Sequence, residues 1–165
     1  MMIARAISQV FGVGLIKPAP GTWGSLVALP LAYLLHLAGG PVLLVVAIIC
    51  AFVLGWWATA TTTRGLEDHD PSEIVIDEVV GQWIALLPVS LGAAMSGAGL
   101  LALWPGWISA FLFFRLFDIW KPGPVGLADR RHDALGVMLD DVIAGALASM
   151  CVLVLAVFAH GLMGV

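Results

Sequence analysis

Every lysine, arginine, aspartate and glutamate of this chain falls in one of three stretches, Arg5 to Lys17, Arg64 to Glu78 and Arg115 to Asp141. Around them run five apolar segments, at roughly 23–38, 41–60, 79–95, 99–117 and 142–163, set against the ~20 residues a helix needs to cross a bilayer. The turns at Gly39–Gly40 and Ser90–Gly99 carry no charge. If all five segments cross, alternate connections fall on alternate sides, so the three charged stretches share one face. All the Lys and Arg then lie together, and the positive-inside rule makes that face cytoplasmic. Pro30 and Pro88 open the first and third segments to tilting, kinking or re-entry, which leaves four crossings as the alternative to five.

Composition supports lipid as the solvent. The chain is 61% hydrophobic and 11% charged, where soluble domains run near 45–50% and 25%. A net charge of −4 offers no basic stripe for a nucleic-acid backbone, which excludes DNA and RNA as partners. Residues 1–165 read as a single membrane-embedded domain: an all-α, polytopic helix bundle of about five transmembrane or re-entrant helices. Ahead of them, Ile3, Ile7, Val10 and Phe11 recur at helical spacing with Arg5 and Gln9 between, the pattern of a short interfacial helix. Lys17, Pro18 and Pro20 break this apolar stretch, so a cleaved signal peptide is not expected. Cys50 and Cys151 sit in apolar runs without metal-ligand spacing, and neither is followed by the arginine of a thiolate phosphatase loop; both read as packing residues.

The chemistry must lie in the charged stretches. In Asp70-Pro71-Ser72-Glu73-Ile74-Val75-Ile76-Asp77-Glu78-Val79-Val80-Gly81, two adjacent carboxylates stand where a charged loop becomes an apolar helix. Adjacent helical residues point about 100° apart, so Asp77 and Glu78 cannot both be surface decoration inside a bundle. Ionisable groups at membrane depth are expensive and usually paired or functional. Asp140 and Asp141 repeat the arrangement in Gly136-Val137-Met138-Leu139-Asp140-Asp141-Val142-Ile143-Ala144-Gly145. Four carboxylates starting helices on one face suit Mg²⁺, which takes hard oxygen ligands. The bland reading of each pair is an acidic cap favoured by the helix dipole. In Phe114-Arg115-Leu116-Phe117-Asp118-Ile119-Trp120-Lys121-Pro122, Arg115 and Asp118 are placed to pair on one helix face, while Arg115 and Lys121 supply cations for phosphate. Lys17 and the helix start near Thr22 offer a further cation and free amides. Asp68-His69-Asp70 looks like an aspartyl-phosphate motif but lacks the preceding buried strand, and no histidine has metal-ligand spacing.

Together the motifs APGTWGS, DPSEIVIDEVVG, FRLFDIWKPGP and LGVMLDDVIAG, in this order, resemble the phosphatidylglycerophosphatase A family over nearly the whole chain. One departure is Asp133-Ala134, where members of that family tend to carry Gly-Gly. The resemblance implies an all-helical enzyme of the bacterial inner membrane. Its expected reaction is Mg²⁺-dependent hydrolysis of phosphatidylglycerophosphate to phosphatidylglycerol at the cytoplasmic face. On this reading Asp77, Glu78, Asp140 and Asp141 hold the metal, Asp118 is a further ligand or supporting residue, and Arg115, Lys121, Lys17 and Thr22 bind phosphate. Membrane lipids are the surroundings, and homo-oligomerisation is left open. The rival is a small carboxylate-lined divalent-cation transporter or channel. Against it, transport sites lie near the bilayer midplane in many folds, and these acids stand at helix ends.

Overall fold

The computed structural model of the chain describes residues 1–66 and 70–163, with side chains as far as Ala159. Regular structure among the described residues is entirely helical: α1 (Met2–Ser8), α2 (Pro20–Thr62), α3 (Ile76–Ser96), α4 (Trp104–Trp120), α5 (Pro124–Asp129) and α6 (Ala134–Met163). Short 3-10 turns lie at Val13–Leu15 and Leu100–Leu103. Four helical stretches are long and apolar enough to cross a membrane: Pro20–Thr62, Ile76–Ser96, Leu100–Trp120 and Ala134–Ala159.

The first of these contains two of the expected segments. A straight helix of 43 residues would measure about 64 Å, twice the ~30 Å of hydrocarbon. It breaks at Gly39 and Gly40, whose backbone is non-helical, and Pro41 follows. Gly40 adopts φ 63°, a region glycine enters without steric penalty. The two arms fold back on each other, because Gly24 packs against Val75 and Gly55 against Ile76. In a straight helix those glycines would stand roughly 46 Å apart. Pro30 and Pro88, by contrast, lie inside helices whose φ/ψ values stay helical around them. The break falls at the glycine pair instead of at either proline.

Two polar struts tie α2 to α3: Trp83 Nε1 donates to the Ala28 carbonyl at 2.9 Å, and His36 Nδ1 meets Ser90 Oγ at 2.7 Å. The tightest contact joins α3 to α6. A Cβ added at Gly145 would run into the Gly81 carbonyl oxygen, with Gly81 Cα 3.0 Å away, and one added at Gly81 would lie 2.6 Å from the Asp141 carbonyl oxygen. Only side-chain-free positions allow two helix backbones to approach so closely. Each glycine stands four residues, one turn on the same helix face, beyond an acid: Asp77 before Gly81 and Asp141 before Gly145.

The charged stretches gather at one end of the bundle, where α2, α3 and α6 begin and α4 ends. There α1 lies across the bundle, with the Val75 amide donating to the Ser8 carbonyl at 2.9 Å. Met2 and Ile3 are exposed as an interfacial helix requires, but the helix stops at Ser8, short of the expected Val10 and Phe11, which turn into left-handed backbone with Phe11 exposed and Val10 packed into the core. The last helix begins at Ala134, earlier than the apolar segment, because Asp133 caps it. Its Oδ1 accepts the Gly136 amide at 2.6 Å, and it pairs with Arg131 at 3.1 Å. The departure from Gly-Gly is therefore a helix cap.

Two glycine substitutions are expected to behave oppositely. Gly145→Ala forces α3 and α6 apart and should destabilise by ~1–3 kcal/mol, read as a thermal-unfolding midpoint in detergent about 3–10 °C lower. Gly92→Ala meets nothing nearer than a Leu103 methyl at 3.8 Å, so it should leave the midpoint unchanged or raise it through helix propensity.

Candidate active site

The bundle's charged end encloses a cavity of about 250 Å³. Its lining includes six carboxylates, Asp70, Asp77, Glu78, Asp118, Asp140 and Asp141, and two cations, Arg115 and Lys121. Ile74, Ser72, Pro20, Gly21 and Ile119 complete the wall. The Gly81–Gly145 crossing sets the spacing one turn away. It brings Asp77 and Glu78, in the first turn of α3, to Asp141 on α6. One carboxylate oxygen from each of these three lies within 4.8 Å of the other two. Asp77 is 6% exposed and Asp141 2%. Asp77 Oδ1, Glu78 Oε2 and Asp141 Oδ1 are buried without a hydrogen-bond partner. Three like charges held this close in a poorly solvated site repel strongly unless a cation or protons intervene.

Asp140 takes a different place from the one the sequence suggested. Its Oδ2 accepts from Lys121 Nζ at 2.9 Å and its Oδ1 from the Asp141 amide at 2.9 Å. Asp141 joins the three-acid cluster, while Asp140, about 100° round α6, meets the lysine. Lys121 also donates to Asp129, on the short helix α5. Burial works against its charge, but the hydrogen bonds to Asp129 and Asp140 and their negative charges raise its pKa above the ordinary lysine range. It stays an ammonium, and the stability from these pairs is present at neutral pH and lost only as pH rises past that range.

Arg115 and Asp118 pair at 2.5 Å on one face of α4. The guanidinium also donates to Ser25 Oγ at 3.4 Å, and that hydroxyl in turn donates to the Gly21 carbonyl at 2.9 Å. Its Nε is buried and unpartnered. Gly21 is bare for a reason: a Cβ there would run into Glu78 Oε1 and lie 3.3 Å from an Arg115 terminal nitrogen. Beneath this layer Gln82, one turn past Glu78, is fully buried with neither amide atom paired.

Lys17 and Thr22 do not join the cavity lining. Lys17 is exposed. The helix starts earlier than expected, at Pro20, which has no N–H, and the Thr22 amide already donates to the Ala19 carbonyl at 3.0 Å. No free amide of Thr22 remains for an anion. Asp68 and His69 lie outside the described residues, as does the side chain of His160. Sequence reasoning missed Gly21, Ser25, Asp70, Gly81, Asp129 and Gly145. The repeated Asp-x-x-x-Gly spacing in both acidic motifs was the available signal for the glycine crossing.

A family model described as Phosphatidylglycerophosphatase A matches residues 6–156. The chain belongs to the phosphatidylglycerophosphatase A family. A relative named phosphatidylglycerophosphatase A from Haemophilus influenzae is 40% identical over 144 residues, covering 86% of this chain and 82% of its own length. Another of that name from Escherichia coli is 33% identical over 141 residues, covering 84% and 75%. A third, from Bacteroides thetaiotaomicron, is 35% identical over 84% of both chains and carries the provisional name of a phosphatidylinositol-3-phosphatase. No solved structure matches the chain. The family match spans all four motifs and every acidic and cationic side chain of the cavity.

Losing Lys121 and losing only its outer partner Asp129 should differ in cost. Lys121→Met leaves Asp140, whose side chain is 6% exposed, with an unpaired buried charge, expected to cost about 2–3 kcal/mol of stability. Asp129→Asn removes only the outer, partly exposed partner and should cost less than ~1 kcal/mol. Thermal unfolding of the two variants in detergent at pH 7 measures the difference.

Proposed function

We propose that the chain hydrolyses the terminal phosphomonoester of phosphatidylglycerophosphate, yielding phosphatidylglycerol and phosphate in a Mg²⁺-dependent reaction of phospholipid biosynthesis. The names of the two phosphatidylglycerophosphatase A relatives support the substrate. The observation that carries the chemistry is the three-acid cluster, with an orphaned oxygen on each member, beside the Arg115 guanidinium. Buried hard oxygen donors with unmet partners fit a divalent cation of the Mg²⁺ class. Asp77, Glu78 and Asp141 would hold it. When bound, the metal supplies Lewis acidity to the phosphoryl oxygens and acidifies water for attack on phosphorus.

The remaining roles follow from the side chains. Arg115, held by Asp118 and Ser25, presents donors that offset charge developing on the phosphoryl oxygens. Lys121, fixed by Asp129 and Asp140, adds a second positive charge on the cavity wall. This makes Asp118 and Asp140 positioning residues for the two cations. A carboxylate of the cluster accepts the proton of the attacking water. The charged end faces the cytoplasm of a bacterial inner membrane, a placement supported by the clustering of all the arginines and lysines in the three charged stretches.

Phosphate release from phosphatidylglycerophosphate in detergent micelles tests this reading. EDTA should abolish it and excess Mg²⁺ restore it. Asp77→Asn, Glu78→Gln and Asp141→Asn should each lower kcat by about a thousand-fold or more, the scale set by losing a metal that generates the nucleophile. Arg115→Lys should lose roughly a hundred-fold, as for removing one oxyanion donor. Full activity in EDTA, or in Asp141→Asn, would remove the metal or that residue from the mechanism.

A further inference from the structure

One residue of the cavity lining also stands at the outer surface of the bundle. The cavity is bounded there by Pro20 and Gly21 at the start of α2 and Ile119 near the end of α4. Ile119 lines the cavity, yet 71% of it is exposed, so it stands at the rim between the site and the surroundings of the bundle. Gly21 has no side chain to close the gap, and a Cβ there would displace the Glu78 carboxylate. The two helices run antiparallel in a fixed register: Arg115 meets Ser25 near the site, and deeper in the bundle the Trp107 ring contacts Tyr33 with centroids 6.4 Å apart. Stepping one turn from the Arg115–Ser25 contact brings Ile119 opposite Gly21.

Below the rim the exposed side chains flanking the α2–α4 seam are apolar. Residues 112, 115 and 119 share one stripe of α4 by helical spacing, and 26 and 33 share one stripe of α2. Leu112 is 59% exposed and Leu26 37%. Arg115 is thus the only charged side chain on a stripe otherwise open to lipid, and its guanidinium points inward to Ser25 and Asp118.

We infer that the Gly21–Ile119 gap is a lateral portal through which a membrane-embedded phospholipid presents its headgroup phosphate, its acyl chains lying along the α2–α4 seam over Leu26 and Leu112. The occupant is the diacylglycerol part of the substrate itself. Continuity sets this choice: Ile119 lines the cavity that holds the acids and Arg115 and is itself exposed beside apolar Leu112, and a lipid phosphomonoester has both a part for the cavity and a part for that apolar surface. This inference rests on the proposed hydrolysis of phosphatidylglycerophosphate and names the route by which that substrate reaches the site.

Two measurements on the full chain in nanodiscs test it. The first uses phosphatidylglycerophosphate bearing a photoactivatable diazirine high on one acyl chain. Adducts mapped by mass spectrometry should fall on Leu26, Leu112 and Ile119 at least five-fold more often than on Val53 and Trp57, which are exposed on the other arm of α2. Excess unlabelled substrate should suppress that enrichment. The second is kinetic: Ile119→Trp narrows the gap and should raise the surface KM about ten-fold with kcat within two-fold, while Ile119→Val should match the parent. Adducts spread evenly over the exposed faces, or an unaltered KM in Ile119→Trp, overturn the portal. Absence of phosphate release by the unsubstituted protein would instead overturn the substrate reading on which it rests.

Discussion

The site depends on how closely two helix backbones can approach. At Gly81 and Gly145 the α3 and α6 main chains touch with no side chain between them. Because a turn of helix repeats the same face, this contact carries its spacing to Asp77 and Asp141, four residues toward each N-terminus. A Cβ at either glycine would force the two backbones apart, and the acids one turn away would separate with them. Phe114, fully buried, packs at the same point from α4, and it is followed directly by Arg115. One crossing therefore fixes both the acid cluster and the cation facing it.

Burying this much charge is tolerable because it is divided into layers. Arg115 with Asp118, and Lys121 with Asp129 and Asp140, are paired groups whose geometry is met within the protein. Their net contribution to stability is modest, since desolvation offsets much of the Coulomb attraction. One oxygen each of Asp77, Glu78 and Asp141 is unmet, as are Arg115 Nε and the Gln82 amide. The outer charges are paired, while one oxygen on each of the three inner acids has no partner, and like charges held that close repel unless a cation or protons intervene. Buried acids gathered in a cleft in this way mark a functional site.

Much of the architecture was legible in the sequence because hydropathy and charge are global signals. Confinement of every charged residue to three stretches fixed which helix ends come together, and the adjacent acids marked the site. Finer features depend on local geometry that periodicity does not report. The hairpin in α2 breaks at Gly39–Gly40, the uncharged turn expected between the first two apolar segments, but Pro30 and Pro88 leave their helices unbroken, because a proline in a packed membrane helix can have its freed carbonyl satisfied nearby. Asp140 and Asp141 looked equivalent as a pair, yet the 100° between neighbouring helical residues sends one to Lys121 and the other to the cluster. Thr22 looked like an anion-binding helix start, but moving the start by two residues to Pro20 consumed its amide. The short helix α5, too brief to show a period, brings Asp129 to Lys121.

The claim on which the mechanism turns is that Asp77, Glu78 and Asp141 together bind a divalent cation. Electron paramagnetic resonance titration of the detergent-solubilised protein with Mn²⁺, competed by Mg²⁺, reads this binding without reference to turnover. Saturable Mn²⁺ binding in the unsubstituted chain, displaced by Mg²⁺ and weakened at least a hundred-fold by Asp141→Asn, is the expected result. Absence of binding in the unsubstituted chain, or equal affinity in Asp141→Asn, would contradict it.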